Sequence, residues 1–381
     1  MKRIIPFAFL AIIIFSCSES GPTETGSENI LEDFAFSTDT LLIDPGEELI
    51  NLANGLRLSD VTPDGKYMYI LIPQDQGLLK IDLDNQVLVE RYQFEKEGPN
   101  GIGDFPTAFQ LLDGDRLYIS SFNLAGIFNF QGEKLEDMNI KAGDVEGLEM
   151  DNETQLNYNV IISPDGSKHF SLPGDFMEGS RDFAVVDLEG KTGKLIDIPE
   201  MDIAGDFRII LQSQTSFSIY LEDIATKLME DYLYISSTAT SKIYRYDIAS
   251  DSLQLFEFPH KITPTQKTGE VRSKVESQEE FQAEMLKLQE QVRYNPLLWD
   301  EVSGRFFRFG GKNLPKLNPD DPAKSDVYLY AFDKDLNLIG ETELTELEKI
   351  PSNSFFKEGK LWSYVNIDDE LGFAVMDFNF N

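Results

Sequence analysis

The chain predicts an all-β fold: a six-bladed β-propeller closed by an N-terminal strand, with one helical insertion between blades four and five. Three observations carry this expectation. A unit made of an Asp/Gly-rich turn and a short aromatic-apolar strand occurs six times, at intervals of 49 to 74 residues. Further alternating segments flank each occurrence, which makes a four-stranded meander of about 50 residues, the sequence form of a propeller blade. The last repeat is one strand short, and a strand-like segment without a repeat of its own precedes the first.

The six units are Gly65 to Ile70 (GKYMYI), Gly114 to Ile119 (GDRLYI), Gly166 to Ser171 (GSKHFS), Glu230 to Ile235 (EDYLYI), Gly304 to Phe309 (GRFFRF) and Gly359 to Tyr364 (GKLWSY). Two follow a Pro-Asp pair, in Thr62-Pro63-Asp64-Gly65 and Ser163-Pro164-Asp165-Gly166. Pro presets φ at the second turn position and Gly relieves the strained one, so both read as tight hairpin turns. Strands such as Ala108 to Leu112 and Val160 to Ile162 precede the turns, and alternating pairs such as Leu78 to Leu83 with Val87 to Phe94 follow them. Period-2 alternation rich in aromatic and β-branched residues is the strand signal. Phe34 to Ile43 is the extra strand, expected to complete blade six and so remove the exposed edges of the ring.

One stretch breaks the pattern. Lys274 to Tyr294 lacks turn residues, and Val275, Phe281, Met285, Leu288 and Val292 recur at helical spacing. An amphipathic helix between blades four and five is expected there, with its apolar stripe packed on a propeller face.

The N-terminus reads as an address. Lys2 and Arg3 precede an apolar run from Ile4 to Phe15, too short to span a bilayer and right for a signal peptide. The run ends in Ile14-Phe15-Ser16-Cys17, which resembles the bacterial lipobox and holds the only Cys of the chain. The resemblance implies cleavage before Cys17 and acylation of that residue, thioether diacylglycerol and an amide-linked chain such as palmitate. Three acyl chains give stable anchoring at about 0.8 kcal/mol per buried methylene. Residues 1–16 are then the signal peptide, 17–30 a Ser/Gly/Thr/Glu-rich flexible tether, and 31–381 the propeller domain. The expected location is the outer membrane, lipid-anchored, facing the periplasm or the surface.

This lipobox, the acidic tether, the six loose repeats, Tyr294-Asn295-Pro296-Leu297-Leu298-Trp299-Asp300 and Arg305-Phe306-Phe307-Arg308-Phe309 together resemble a family of uncharacterised Bacteroidota lipoproteins of propeller type. The resemblance covers nearly the whole chain and implies location and fold, with no catalytic residues attached.

Composition excludes several partners. Lys and Arg number 33 against 67 Asp and Glu, a net charge of −34. Phosphate backbones and anionic lipid headgroups require the opposite sign. One Cys and two His leave no disulfide, no Cys-based zinc site and little basis for a multi-histidine centre. The nucleophile elbow, the His-Glu-x-x-His motif and the Walker A loop are absent. The acid clusters Asp82-x-Asp84-Asn85, Asp320-Asp321 and Asp368-Asp369-Glu370 read as solvated turns without the spacing of a calcium loop. No cofactor is expected. A central Ca²⁺ on inner-strand groups stays open, with Asp60, Asn123 and Asp300 as contributors.

Function is therefore expected to be ligand binding or scaffolding at the mouth of the central channel, near the insertion helix. A peptide, a glycan or an anionic metabolite is the class of ligand, and the alternative is a metal-dependent propeller hydrolase or lyase at the same mouth. Candidate ligand contacts are Arg57, Asn123, Arg181, Arg208, Tyr294 and Trp299: Arg for bidentate carboxylate or phosphate contacts, the rings for flat surfaces. Asp39-Thr40-Leu41 and Asp251-Ser252-Leu253 resemble Bacteroidota O-glycosylation acceptors, at Thr40 and Ser252.

Overall fold

A computed structural model describes residues 29–175, 179–213, 216–316, 318 and 321–380. Cys17, the expected signal peptide and most of the expected tether lie outside the described residues.

Strands dominate, and most assemble into four-stranded antiparallel sheets in chain order. Sheet one holds Ser59–Val61, Tyr67–Ile72, Gly77–Asp82 and Val87–Gln93. Sheet two holds Pro106–Leu112, Arg116–Ser121, Ala125–Asn129 and Lys134–Asp137. Sheet three holds Ile161–Ile162, Lys168–Ser171, Asp182–Asp187 and Thr192–Asp197. Sheet four holds Ile224–Met229, Tyr232–Ser237, Thr240–Asp247 and Ser252–Phe256. In sheet five, Arg293–Tyr294 and Leu298–Asp300 both pair with Arg305–Asn313, followed by Ser325–Phe332 and Leu338–Glu343. Sheet six holds Phe355–Lys357, Lys360–Ile367 and Glu370–Asn379, and takes its outer strand from the other end of the chain. There Ala35–Leu42 pairs antiparallel with Glu370–Asn379, residue for residue from Ala35 against Asn379 to Leu42 against Gly372.

Each second strand begins just after one of the repeated turns, and the turn chemistry explains why. In Thr62–Gly65 the Asp64 carboxylate accepts from the Thr62 hydroxyl (2.5 Å) and from the Lys66 amide (3.1 Å), while Gly65 adopts φ of 67°. Ser163–Gly166 repeats the device, with Ser163 Oγ donating to Asp165 (2.6 Å) and Gly166 at φ of 80°. Short polar side chains here replace a backbone turn, and Gly occupies the left-handed position that a side chain strains.

Alternation along the second strands sets the packing. Met68, Ile70 and Ile72 face Trp362, Phe373 and Val375 of sheet six, whereas Tyr69 and Leu71 face Leu117, Ile119 and Phe128 of sheet two. The same rule joins sheets two and three through Tyr118 and Ile162, three and four through Phe170 and Ile235, four and five through Tyr234 and Phe306, and five and six through Phe309 and Leu361. Successive residues of a strand point to opposite faces, so a fully apolar strand buries both faces between neighbouring sheets.

Side chains also lace adjacent innermost strands. Asp60 accepts from the Leu111 amide at 2.9 Å; Gln110 donates to Ile162 O and accepts from its amide at 2.7 and 2.9 Å; Thr226 Oγ1 donates to Asn159 O at 3.1 Å. Arg308 is fully buried between sheets four and five and donates to four backbone carbonyls, those of Asn295, Ser241, Ser237 and Thr240. Burial holds its pKa down at about 10.

The insertion differs from its sequence expectation in extent. The helix spans Gln278–Gln289, capped by Ser277, whose Oγ accepts from the Glu280 amide at 3.2 Å. Lys274–Val275 is instead a short strand pairing parallel with Ile209–Gln212, which also pairs with Phe217–Tyr220. Val292 packs between sheets four and five. The apolar stripe of the helix, Phe281 and Leu288, packs on Phe207, Ile209, Leu211 and Ala239. Two connections, one entering sheet four and one entering sheet five, thus build a cap over the 237–240 hairpin. A buried ion pair fastens it: Lys267 Nζ lies 2.6 Å from Glu222 Oε1 and donates to Leu288 O, and Glu222 accepts from Thr238 and Tyr220.

The expected tether also ends earlier than residue 30. Asn29 pairs with both backbone groups of Glu341 at 3.0 Å, Ile30 N donates to Ile339 O, and Leu31 is fully buried. No helix of the described residues is long and apolar enough to cross a membrane.

Candidate functional site

In each sheet the first strand runs into its repeated turn; sheet four carries the helical cap at one end, over the 237–240 hairpin, and its repeated turn at the second end. At that second end the turns of sheets one, five and six and the end of the innermost strand of sheet four enclose a cavity of about 460 Å³. Its wall is part apolar, with Trp299, Met229, Phe355 and Leu298, and part charged, with Asp64, Glu301, Glu358, Lys357 and Lys227.

Trp299 is half-buried: Leu298–Asp300 pairs with Arg305–Phe307, and its indole lies tilted at 47° against Phe306 with ring centroids 4.5 Å apart. Asp300 is buried and spends both oxygens on its own turn, accepting from the Val302 and Ser303 amides at 3.2 Å. Lys357 is committed to Asp84 at 2.6 Å. Lys227 is different. Its strand is otherwise apolar or hydroxylic, and its ammonium takes part in no hydrogen bond and no ion pair among the described residues. Enclosure holds its pKa below the ordinary lysine value, offset in part by the charge of Asp60. Enclosure likewise raises Asp60, although two backbone amides, of Leu111 and Val61, hold its oxygens and work the other way.

Of the sequence-derived candidates, Trp299 and Asp300 line this cavity and the others do not. Arg57 is exposed at the opposite end of the sheets, where it donates to the Thr107 and Pro106 carbonyls at 3.3 Å. Asn123 is exposed beside Phe105 and Phe122, in a separate groove of about 650 Å³ at that same end. Arg181 is buried, donates to Ser180 O at 3.2 Å and lies over the Tyr158 ring at 4.4 Å. Arg208 precedes the Ile209–Gln212 strand and is half-buried and engaged. Tyr294 is 1% exposed, its hydroxyl bonded to Thr263 and Pro264 O, and its ring lies beneath the Arg308 guanidinium at 4.9 Å, away from this cavity. Its ring fills the seam between sheets four and five. Thr40 and Ser252 are exposed on outer strands. Asp60, Asn123 and Asp300 are each occupied elsewhere or apart from one another, and among the described residues no group of three or more His, Cys, Asp or Glu could hold a metal ion.

Sequence reasoning missed Lys227. The available signal was a lone cation on a strand that precedes a repeated turn, in Ile224-Ala225-Thr226-Lys227-Leu228-Met229.

The fold and this end-on cavity define an all-β, β-propeller-like protein. Residues 29–343 match the model of a domain of unknown function, DUF4221, and the chain belongs to that family. It is similar to a crystal structure of a DUF4221 member from Bacteroides vulgatus, with 17% identity, a TM-score of 0.67, and coverage of 91% of this chain and 99% of that one. It is also similar to a candidate exported protein of Bacteroides fragilis, with 9% identity, a TM-score of 0.50, and coverage of 91% and 95%. A weaker likeness is to the β-propeller domain of Cps50 (Swd1) from Myceliophteria thermophila, with 8% identity, a TM-score of 0.38, and coverage of 86% and 98%. No curated protein matches the chain.

Proposed function

We propose that the chain is a lipid-anchored six-bladed propeller of the cell envelope that binds a small ligand at the turn-side mouth of its central channel. One observation carries the location of the site. Groups from sheets one, four, five and six line a single cavity, and sheets one and four are not neighbours in the packing order. Such sheets meet only near the axis of a ring. The cyclic order of the packing clusters and the strand lent by Ala35–Leu42 support six blades and closure between the two ends of the chain. Ligand sites favour concave pockets with an apolar wall and a few convergent polar groups, and a half-buried indole beside an unpaired ammonium has that character. Export and anchoring at the outer membrane rest on the apolar run and Cys17.

One experiment with two variants tests both halves. Native chain, Cys17→Ala and Trp299→Ala are expressed in the same host, fractionated, purified and denatured, and the released small molecules and metals are measured. Native chain is expected in the membrane fraction with an organic ligand and no stoichiometric metal. Cys17→Ala should appear soluble or as an uncleaved precursor, still carrying ligand, and Trp299→Ala should remain in the membrane with ligand reduced at least tenfold. Unchanged anchoring of Cys17→Ala removes the lipoprotein reading. Ligand retained in full by Trp299→Ala, or stoichiometric calcium in the native chain, removes the mouth as a simple binding site.

A further inference from the structure

The cavity at the turn-side mouth is lined by one cation with no counter-charge in contact, and the structure assigns that cation, Lys227, to the recognition of an oxyanion, a carboxylate or a phosphate, on a ligand whose apolar body lies against Trp299 and Met229. This inference rests on the mouth being a binding site and specifies what it binds.

The other charges around the cavity are accounted for. Lys357 is paired with Asp84 at 2.6 Å. Asp64 is held by its own turn, through Thr62 and Lys66. Asp300 caps the 300–303 turn. Glu301 and Glu358 are exposed at the rim. Asp60 is the carboxylate whose charge acts on Lys227, yet its two oxygens accept from the Val61 and Leu111 amides, and no ion pair forms between the two side chains. Lys227 therefore presents three N–H donors to the cavity with none of them used by the protein. The donors of the other buried cations are taken, those of Lys267 and Lys357 by the carboxylates of Glu222 and Asp84 and those of Arg308 and Arg181 by backbone carbonyls. A charged group taken from bulk water without a partner is unfavourable, and an incoming oxyanion supplies the missing partner. Its arrival also favours the protonated amine, reversing the effect of enclosure.

The rim acids Asp64, Glu301 and Glu358 repel a bare inorganic anion. The expected ligand is therefore one whose apolar body gains from Trp299, Met229 and Phe355 while its oxyanion reaches the ammonium, and a cationic group on its outer end would meet the rim favourably. A small amphiphilic acid fits this pattern, and so does a phosphomonoester with an apolar body.

Three probes with one aromatic body separate the possibilities: phenylacetate, phenyl phosphate and 2-phenylethanol, each titrated by ligand-observed magnetic resonance against the native chain at low salt. The native chain is expected to bind at least one of the two anions with millimolar affinity and the alcohol at least tenfold more weakly. A preference for phenylacetate identifies a carboxylate site, and a preference for phenyl phosphate a phosphate site. Lys227→Met should abolish anion binding with its melting temperature unchanged, and Lys227→Arg should retain it. If Lys227→Met fails to fold, Lys227→Gln takes its place. Anion binding that survives loss of Lys227 overturns the inference. Equal binding of all three probes, lost in Trp299→Ala but not in Lys227→Met, also overturns it and leaves the mouth as an apolar site. Binding of none of the probes, or binding indifferent to both Trp299→Ala and Lys227→Met, overturns the inference and the mouth reading together.

Discussion

A chain beginning at residue 44 is expected to lose cooperative folding, whereas a chain beginning at residue 29 should melt like the full-length protein. The difference is the strand Ala35–Leu42 and the docked residues before it. That strand pairs with Glu370–Asn379 along its whole length. Without it the last strand becomes an unpaired edge, a template for association with other chains. The packing loss is as large. Leu31 is fully buried against sheet five, and Phe34 meets Phe36, Phe378 and Phe380 at 5.1 to 6.1 Å. Ile43 is 2% exposed among the residues that join sheet six to sheet one. At about 2 kcal/mol for each buried large apolar side chain, Leu31 and Ile43 with the half-buried Phe34 and Phe36 contribute roughly 6 kcal/mol. That is comparable with the whole stability of an ordinary domain, about 5–15 kcal/mol. Thermal unfolding followed by circular dichroism measures it, and a peptide of residues 29–43 added in trans should restore part of the transition. A residue-44 chain with the full-length melting temperature would show that the two ends do not hold each other.

Acid should destabilise the protein well above the range in which its carboxylates titrate. His169 lies on Lys168–Ser171, is 1% exposed, and its Nδ1 has no partner. Burial lowers its pKa from 6.5 to about 4. Between those values the unfolded chain binds the proton and the folded chain does not. Stability is thus full above about pH 7, falls as pH drops through 6.5, and levels near 4. At pH 5 this one residue accounts for a loss of about 2 kcal/mol, given 1.4 kcal/mol per pKa difference of one. His260 acts in the same direction, its pKa also lowered to about 4 by burial against Tyr330, with Glu341 3.2 Å from Nδ1 working partly against the shift. Chemical unfolding at pH 7 and pH 5 should show the loss, and His169→Asn should reduce it by about 2 kcal/mol. A pH-independent stability in this window would mean that the imidazole is solvated.

The pleated architecture was legible in the sequence because its two signals are local. Five of the six repeated turns bring Gly to a position of positive φ, at Gly65, Gly114, Gly166, Gly304 and Gly359, and the fourth brings Glu230 there, and each following strand alternates. The lent strand was legible because Phe34 to Ile43 has strand character and nowhere else to pair. The helix boundaries were not: Val275 and Val292 continue a helical period, but one joins a parallel strand pair with Leu211 and the other fills an inter-sheet core. Tertiary pairing decided those positions, which a period cannot report. The Ile209–Gln212 strand pairs locally with Phe217–Tyr220, but its parallel pairing with Lys274–Val275, more than sixty residues away, left no local trace.

The site was less legible than the fold. Arg57, Arg181 and Tyr294 are the residue types that binding sites use, and in the structure each is engaged by a nearby carbonyl, hydroxyl or ring away from the turn-side cavity. Of the candidates, Trp299 and Asp300 line the turn-side cavity, and Asp300 spends its oxygens on its own turn. The partner of Trp299, Lys227, was invisible because its distinction is the lack of a counter-ion, a property of the assembled strands and not of its neighbours in sequence. The longest irregular excursion pointed toward the opposite end of the sheets. In the structure that excursion uses its apolar face and its Lys267–Glu222 pair to fasten itself down.

Hydrogen exchange of the intact protein, with and without saturating phenylacetate or phenyl phosphate, distinguishes the two ends of the sheets in a single measurement. The turns 62–65, 300–304 and 357–359, together with 227–230, are expected to gain protection, while 203–220 and 274–294 keep their rates. Protection confined to 203–220 and 274–294, with the turns unchanged, would contradict the account and return the site to the capped end.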